Sequence, residues 1–556
     1  MSDGSAEFLG SVRANQQQLR SNLKSHYDFI VCGSGSSGSV VARRLAEDGN
    51  VSVLLVEAGG DDVVPSVLEA SQWPMNLGTE RDWGFVAEPN PHLNDRAVPL
   101  PMGKVLGGGS SINVMIWARG HKTDWDYFAS EAGDSAWSYD SVLNIYRQIE
   151  DWHGIADPKY RGTGGLVHVQ PARAPNPIVP ALLEGCQANG IPIFEHQNGR
   201  MMESTSGASV IDMRVREGKR RSVFRSYVFP YMDRPNLTVL TCAVVDRIVF
   251  DGKRAAGVEI SYGGARHRID ASREVVISLG ACHTPKLLMQ SGVGDRAELE
   301  RFGIPVIQHL PGVGANFQDH VGFDCVWESP ELLAPHNTGV EVTYFCQSDP
   351  DLDYPDIQVC LAEFTKTNSD NAARFQPPTN CWTLFGGLER PKSRGRIRLT
   401  GPGPSDPIQI EAGFLSHPDD MTAAISCVEL CRAVGNSAAM KRFTKREIMP
   451  GKLRGKDLED FIRNAAVTYW HQTCTAKMGQ DSMSVVDGSL KVHGVENLRI
   501  ADGSIMPRIT IGNTMAPCVI IGERAGHILQ SEHKLKATSL ATVPDQRSDI
   551  AATRGC

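Results

Sequence analysis

Several features are missing from this sequence, and each absence removes a class of function. No apolar stretch reaches the length of a membrane-spanning helix. Residues 1–26 lack the apolar core of a signal peptide and read as a polar leader or a short surface helix. Basic charge is scarce. The formal net charge is -8, so there is no cationic excess to neutralise nucleic-acid phosphates. The one strongly basic run, residues 214–221, reads as a solvated loop or an anion clamp. The 13 cysteines contain no CxxC pair and no zinc spacing. They read as reduced thiols, which makes the cytoplasm the expected compartment. Beyond about residue 535 the chain is polar and reads as a loose tail.

What is present suits a globular protein. At 556 residues the chain has room for two or three buried cores. Its clearest stretch is residues 27–57. An apolar run from Phe29 to Cys32 leads into Gly33, Gly35 and Gly38. A helical pattern over 37–47, a turn at 48–50 and a second apolar run ending at Glu57 follow. A strand, a glycine turn, a helix and a strand closed by an acid make half of a dinucleotide-binding unit. Gly33 permits the turn, Gly35 lets the backbone approach a pyrophosphate and Gly38 lets helix and strand pack closely. The phosphates would sit on the amides of the helix N-terminus, and Glu57 would accept from the adenosine ribose. The motif alone serves FAD or NAD equally.

A second glycine-rich stretch covers residues 101–120. Gly107, Gly108 and Gly109 precede Ser110, Ser111 and Asn113, and such a loop can pass very close to a planar cofactor or a phosphate. Trp73, Trp83 and Phe85 read as packing residues, with one of them free to face a substrate. Residues 125–150 read as two short amphipathic helices and 177–189 as another. Strand character returns at 225–229 and 237–245, then as an antiparallel ribbon at 256–260 and 266–270. Residues 275–279 form a strand that runs through Gly280 into a helix. Strands then recur over 322–327, 339–346, 356–361, 380–388 and 395–399, followed by helices over 418–439 and 456–466. Antiparallel strands plus helices predict a second, substrate-covering domain. A short strand at 498–502 and a helix from Asn513 return to the first domain. The cofactor domain is therefore discontinuous, built from 26–150, 226–320 and 466–532. The substrate domain takes 151–225 and 321–465, and 536–556 is the tail.

Five stretches, in this order, resemble the glucose-methanol-choline (GMC) family of FAD-dependent oxidoreductases. They are GSGSSG (33–38) with Glu57, GKVLGGGSSIN (103–113), GACHTPKLLMQSGVG (280–294), PGVGANFQDH (311–320), and YWHQTCTAKMG (469–479) with LRIADGSIMP (498–507) and IGN (511–513). The resemblance implies an α/β Rossmann-type FAD-binding domain with a second α+β substrate domain built on an antiparallel sheet. It implies oxidation of an alcohol by hydride transfer to flavin N5, with molecular oxygen or another acceptor taking the electrons. It places the catalytic pair at His471, as base, and Asn513, as donor to the substrate oxygen. It also places cofactor contacts at Gly33, Gly35, Ser36, Gly38, Glu57, Ala58, Gly103, Leu106, Gly108, Ser110, Asn113, Val114, Val245, Gly280, Trp470, Asp502, Gly503, Asn513 and Thr514. Val244 or Val245 would contact adenine through its backbone. A helix beginning near Asn513 would aim amides at the reduced flavin.

The chemistry agrees with that placement. Alcohol oxidation needs a base for the hydroxyl proton and a donor for the developing alkoxide, tasks that suit a neutral histidine and an amide. Read alone, His471 is one of 16 histidines, and a lone histidine is more commonly a structural hydrogen-bonder. Asn513 alone reads as a helix N-cap. His493 and His527 read as surface or packing residues.

Departures from the family pattern narrow the reading. Ile112 stands where some members attach FAD through a histidine, so the FAD is expected to be non-covalent. Members that oxidise choline place a carboxylate shortly after the Asp-His pair, whereas Val321 and Gly322 follow Asp319 and His320 here. The expected substrate is a medium-sized primary alcohol of aromatic, furanic or aliphatic type, with choline, a polyol or a sugar as the alternative. Tyr469, Trp470, Trp382 and Phe385 are expected pocket walls, with residues 363–380 over the entrance. No metal is expected, and a monomer and a homodimer both remain open. An NAD-dependent dehydrogenase on the same glycines leaves the 107–113 loop and the distant segments at 280 and 498 unexplained. A flavin-bound, non-catalytic binding protein is the third reading.

Overall fold

A computed structural model describes residues 6–536; the expected tail beyond them lies outside the described residues. Two seven-stranded sheets organise the chain. In the first, Leu237–Leu240, Val53–Val56, His26–Cys32, the end of Ala265–Ile277 and Leu498–Ile500 run parallel. The apolar runs within these strands are buried on both faces, as a sheet covered by helices on both sides requires. The helices Ser36–Ala46 and Met515–Glu532 pack together. They are locked by a buried bidentate pair, Arg44 to Glu523, at 2.7 and 2.8 Å. The first half of Ala265–Ile277 leaves the parallel sheet as an antiparallel ribbon with Arg254–Tyr262 and Val244–Asp251.

The second sheet is antiparallel. Its order is Arg446–Met449, Val321–Glu328, Cys381–Leu388, Ile357–Ala362, Val340–Cys346 and Gly207–Val210, with Val467–Thr468 also on the start of Val321–Glu328. Helix Pro418–Gly435 covers one face. An added Cβ on Gly386 would lie 2.5 Å from Cys427 Sγ of that helix. Residues 382, 384 and 386 therefore point to the helix, and Phe385 points the other way.

Some elements differ from expectation. Residues 225–229 are not a strand: Val223–Tyr227 is a helix, begun by Ser222 Oγ accepting from Arg225 N at 3.1 Å. The stretch 237–245 is broken at Cys242, whose φ of 55° is left-handed. There Cys242 N and Ala243 N bond the carbonyls of Gly59 and Glu57, each at 2.9 Å, and turn the chain beneath Glu57. Arg396–Leu399 is a strand, yet it pairs with Ile408–Glu411 in a hairpin of its own. Residues 6–21 form a surface helix held by Gln16 Nε2, which donates to Met232 O and Leu237 O. Among the described residues no helix is long and apolar enough to cross a membrane.

Candidate active site

One cavity is lined by residues of the antiparallel sheet and by the loops and helix starts that follow the strands of the parallel sheet. At one end lie Gly33, Gly35, Ser36, Glu57 and Ala58. Gly33 has φ 99°, and a Cβ there would meet Ser278 O at 2.3 Å. A Cβ on Gly35 would meet no protein atom within 4 Å, so this position opens onto the cavity. Glu57 Oε2 accepts from Ser34 N at 3.0 Å and Ser34 Oγ at 2.6 Å, and its Oε1 accepts from Gly59 N at 2.8 Å. Burial pushes its carboxyl above the ordinary value.

The 103–113 loop lies directly on the first glycine turn. Gly107 N donates to Ser34 Oγ at 3.2 Å, and a Cβ on Gly108 would sit 2.9 Å from Gly35 Cα. Gly103, Gly108, Ser110, Asn113 and Val114 all line the cavity. Arg220 props this loop from behind, donating to Asn113 Oδ1 at 2.7 Å and Ser110 O at 3.2 Å. The basic run thus supplies a buried bracket at this position. Asp502 Oδ2 accepts from Gly280 N at 2.9 Å and Thr284 Oγ1 at 2.6 Å, tying the end of Leu498–Ile500 to helix Gly280–Gln290. Gly280, Gly503 and Thr514 line the same wall. An open glycine cradle, an acid at the strand end and the start of a helix fit a dinucleotide such as FAD.

At the other end, His471 Nε2 lies 3.2 Å from Asn513 Nδ2, beside the N-terminus of helix Met515–Glu532. His471 Nδ1 lies 2.8 Å from His320 Nδ1, and His320 Nδ1 lies 3.4 Å from Glu389 Oε1. His320 and Glu389 are fully buried. Desolvation holds His471 at a pKa of about 3 and His320 well below the ordinary value, with the charge of His471 adding to the effect on His320. Asp319 Oδ1 accepts from His471 N at 2.9 Å, and its Oδ2 accepts from Thr468 Oγ1 at 2.5 Å. Burial pushes Asp319 up to about 7. Trp470 takes a left-handed φ of 66°, uncommon for a side-chain-bearing residue, and its N donates to Thr468 Oγ1 at 2.7 Å.

Aromatic rings wall this end. Phe385 stacks on Tyr469 at 4.0 Å between centroids, Trp470 lies 5.9 Å from Phe385, and Trp73 lies 6.5 Å from Trp470. Phe364 and Lys366 come from the expected entrance loop.

Four expected site residues are off the cavity wall. Trp382 stacks on Trp327 at 4.6 Å and donates to Phe443 O, because its position puts it on the helix-covered face opposite Phe385. Leu106 is buried, and its carbonyl accepts from Ser111 Oγ at 2.6 Å to brace the loop. Gly38 is behind the turn, where a Cβ would lie 1.9 Å from Gly33 O, so its part is close packing. Val245 sits in edge strand Val244–Asp251, which begins only after the Cys242 turn has carried the chain away.

Sequence reading missed His320 as a partner of His471, and missed Lys366 and His283 on the wall. His320 carried a signal: it ends the PGVGANFQDH stretch. Lys366 carried only its place in the 363–380 stretch expected over the entrance. Trp73 and Trp83, read mainly as packing residues, both line the cavity.

The GMC oxidoreductase family profile matches residues 27–322, and its C-terminal counterpart matches 391–522. An oxygen-dependent choline dehydrogenase from Brucella anthropi is 36% identical over 544 residues, covering 92% of this chain and 96% of that protein. The crystal structure of a pyridoxine 4-oxidase from Mesorbium loti superposes with a TM-score of 0.86 at 28% identity, covering 91% of this chain and 99% of that one. A fungal aryl-alcohol oxidase shares the fold, with a TM-score of 0.78 at 22% identity over 92% of this chain and all of that one. The chain belongs to the GMC oxidoreductase family and is an FAD-dependent alcohol oxidoreductase.

Proposed function

We propose that this chain oxidises a medium-sized aromatic or furanic primary alcohol to the aldehyde, with His471 as the base and Asn513 as the oxygen holder. The observation that carries the reading is the 3.2 Å pairing of His471 Nε2 with Asn513 Nδ2 at the inner end of the cavity. Asn513 Nδ2 can only donate, so Nε2 presents its lone pair and the ring proton is on Nδ1. That proton is donated to His320 Nδ1 at 2.8 Å, which fixes the tautomer and the ring orientation. A substrate hydroxyl entering between the two side chains gives its proton to Nε2 and receives a hydrogen bond from Nδ2. Bound FAD supplies the hydride acceptor. Glu57, Asp502 and the glycine cradle, which line the cavity, would hold it, and Ile112 on the wall offers no atom for covalent attachment. Burial keeps the imidazole neutral, and the aromatic walls match a flat, ring-bearing substrate.

Choline is the second reading, favoured by the Brucella relative and by the rings of Trp73, Trp470 and Phe385, which could face a trimethylammonium. The acids on the cavity wall, Glu57 and Asp502, are both at the nucleotide end, and Lys366 is a cation at the substrate end. These charges weigh against it.

The test is anaerobic mixing of the yellow holoenzyme with benzyl alcohol, hydroxymethylfuran types, sugars, short aliphatic alcohols and choline, followed by oxygen. Aromatic and furanic alcohols should bleach the flavin fastest. His471→Ala should keep the flavin and slow bleaching by about 10²- to 10⁴-fold. Normal bleaching in that variant removes His471 as the base.

A further inference from the structure

The substrate end of the cavity holds a charged pair that the chemistry above does not use. Asp324 and Phe385 are directly opposed residues on neighbouring antiparallel strands, so their side chains share the cavity-facing side of the sheet. Lys366 reaches over both. Its Nζ lies 2.7 Å from Asp324 Oδ1 and 3.5 Å above the Phe385 ring, and 5.7 Å from the Trp470 ring. The stem is anchored too, since Lys366 N donates to Thr383 Oγ1 at 3.0 Å. Asp324 is 3% exposed and Lys366 19% at the side chain, so the acid is sealed in while Lys366 lines the cavity. Asp324 occupies one of the three ammonium protons, which leaves two directed elsewhere. A partly buried lysine that spends one proton on a buried acid and lies against aromatic rings still has donors to offer a ligand oxygen.

We propose that Lys366, held by Asp324, forms a subsite for an oxygen acceptor on the substrate ring, a carboxylate above all, remote from the carbinol that meets His471. The proposal rests on the alcohol-oxidation reading and adds to it the substituent the substrate carries. Phe385 places the ammonium against the ring stack that continues through Tyr469 to His471, where the two ring centroids are 5.6 Å apart. A flat substrate lying along that stack meets the base at one end and the ammonium at the other. The residue acts in recognition and orientation only; the proton and the hydride leave from the far end.

The experiment compares benzyl alcohol with 4-(hydroxymethyl)benzoate as substrates of the FAD-loaded enzyme, reading kcat/KM for each. The wild type should prefer the carboxylate-bearing alcohol. Lys366→Met should cut the preference by about ten- to a hundredfold, the size expected for losing a charge-assisted hydrogen bond, while benzyl alcohol is still oxidised. Lys366→Arg should restore part of the preference. A purely structural lysine would lower both substrates together and leave the ratio unchanged, which overturns the proposal, as does a wild type with no preference. If Lys366→Met leaves too little folded protein, the ratio is read in Asp324→Asn/Lys366→Met, which strands no buried charge. Failure of the wild type to oxidise either alcohol counts against the parent reading instead, so the two failures are separable.

Discussion

The two ends of the cavity are built on different principles. The nucleotide end is mostly backbone: Gly33, Gly35 and the start of helix Ser36–Ala46 come from one contiguous stretch, with Glu57 closing the next strand. The substrate end is mostly side chains gathered from remote positions, among them Trp73, Lys366, Phe385, His471 and Asn513. A pyrophosphate is the same in every dinucleotide, so amides at fixed spacing suffice to hold it. A substrate differs from enzyme to enzyme, so its contacts are placed by a sheet whose face can carry any side chain.

The sharpest way to break this contrast is to add one methyl group to each of two glycines in the nucleotide turn. Gly38→Ala puts a Cβ 1.9 Å from Gly33 O, a backbone atom that cannot step aside. We expect poor folding or a loss of several kcal/mol, on the order of the worst overpacking penalties, with flavin lost as a consequence. Gly35→Ala puts its Cβ where no protein atom lies within 4 Å, at a φ of -63° that alanine adopts freely. The flavin-free protein should therefore unfold at the wild-type temperature while its flavin content and FAD affinity fall. Thermal melts of the stripped proteins and absorbance-based flavin content check both. A Gly35→Ala protein that keeps full FAD affinity would show that the backbone does not approach the pyrophosphate there.

The same contrast explains what could be read from the sequence. Gly33, Gly35, Gly38 and Glu57 were legible because a parallel strand buried on both faces is an unbroken apolar run and the turn after it demands glycine. Four strands of the antiparallel sheet, Val321–Glu328, Val340–Cys346, Ile357–Ala362 and Cys381–Leu388, were legible by their apolar character with bounds within a residue or two, whereas the short strands Gly207–Val210, Arg446–Met449 and Val467–Thr468 were not. Which face each residue occupies was not legible, because the run Cys381–Leu388 is buried along its whole length and shows no polar alternation. That is why Trp382 and Phe385 looked alike until the pairing placed them on opposite faces. His320 meets His471 across 151 residues of sequence, and Lys366 meets Asp324 across 42. Neither separation has a local periodicity to betray it. The left-handed turn at Cys242 was also invisible, since nothing marks cysteine for that conformation, and it removed Val245 from the wall.

A smaller effect is expected at Asn513, where the substrate end depends on one amide. Asn513→Ala removes the donor facing His471 Nε2 but leaves the imidazole and its bond to His320 intact. We expect kcat/KM for benzyl alcohol to fall by about ten- to a hundredfold, mostly in kcat, because the hydrogen bond strengthens as the oxygen gains charge. Flavin content should be unchanged. A fall carried wholly by KM would mean that Asn513 binds the alcohol without favouring its reaction.

The smallest effect is a curve that fails to bend. Only a neutral His471 accepts the hydroxyl proton, and burial holds its pKa at about 3, below the ordinary 6.5. A base whose pKa is depressed stays active on acidification until the pH approaches the lower value. Log kcat/KM should therefore run flat from pH 8 to about 5, where an ordinary histidine would already have cost about thirtyfold. The stability linkage of this group runs in the same window. The unfolded histidine takes up a proton near pH 6.5 while the folded one does not, so its contribution to stability falls as the pH drops below that point. Asp319, pushed up to about 7 by burial and bonded to His471 N, is the group that would bend the curve if any does. A break near pH 7 that vanishes in Asp319→Asn would assign the titration to that carboxyl. A break near 6.5 that survives the substitution would mean that water reaches the imidazole and that its burial does not hold the pKa down.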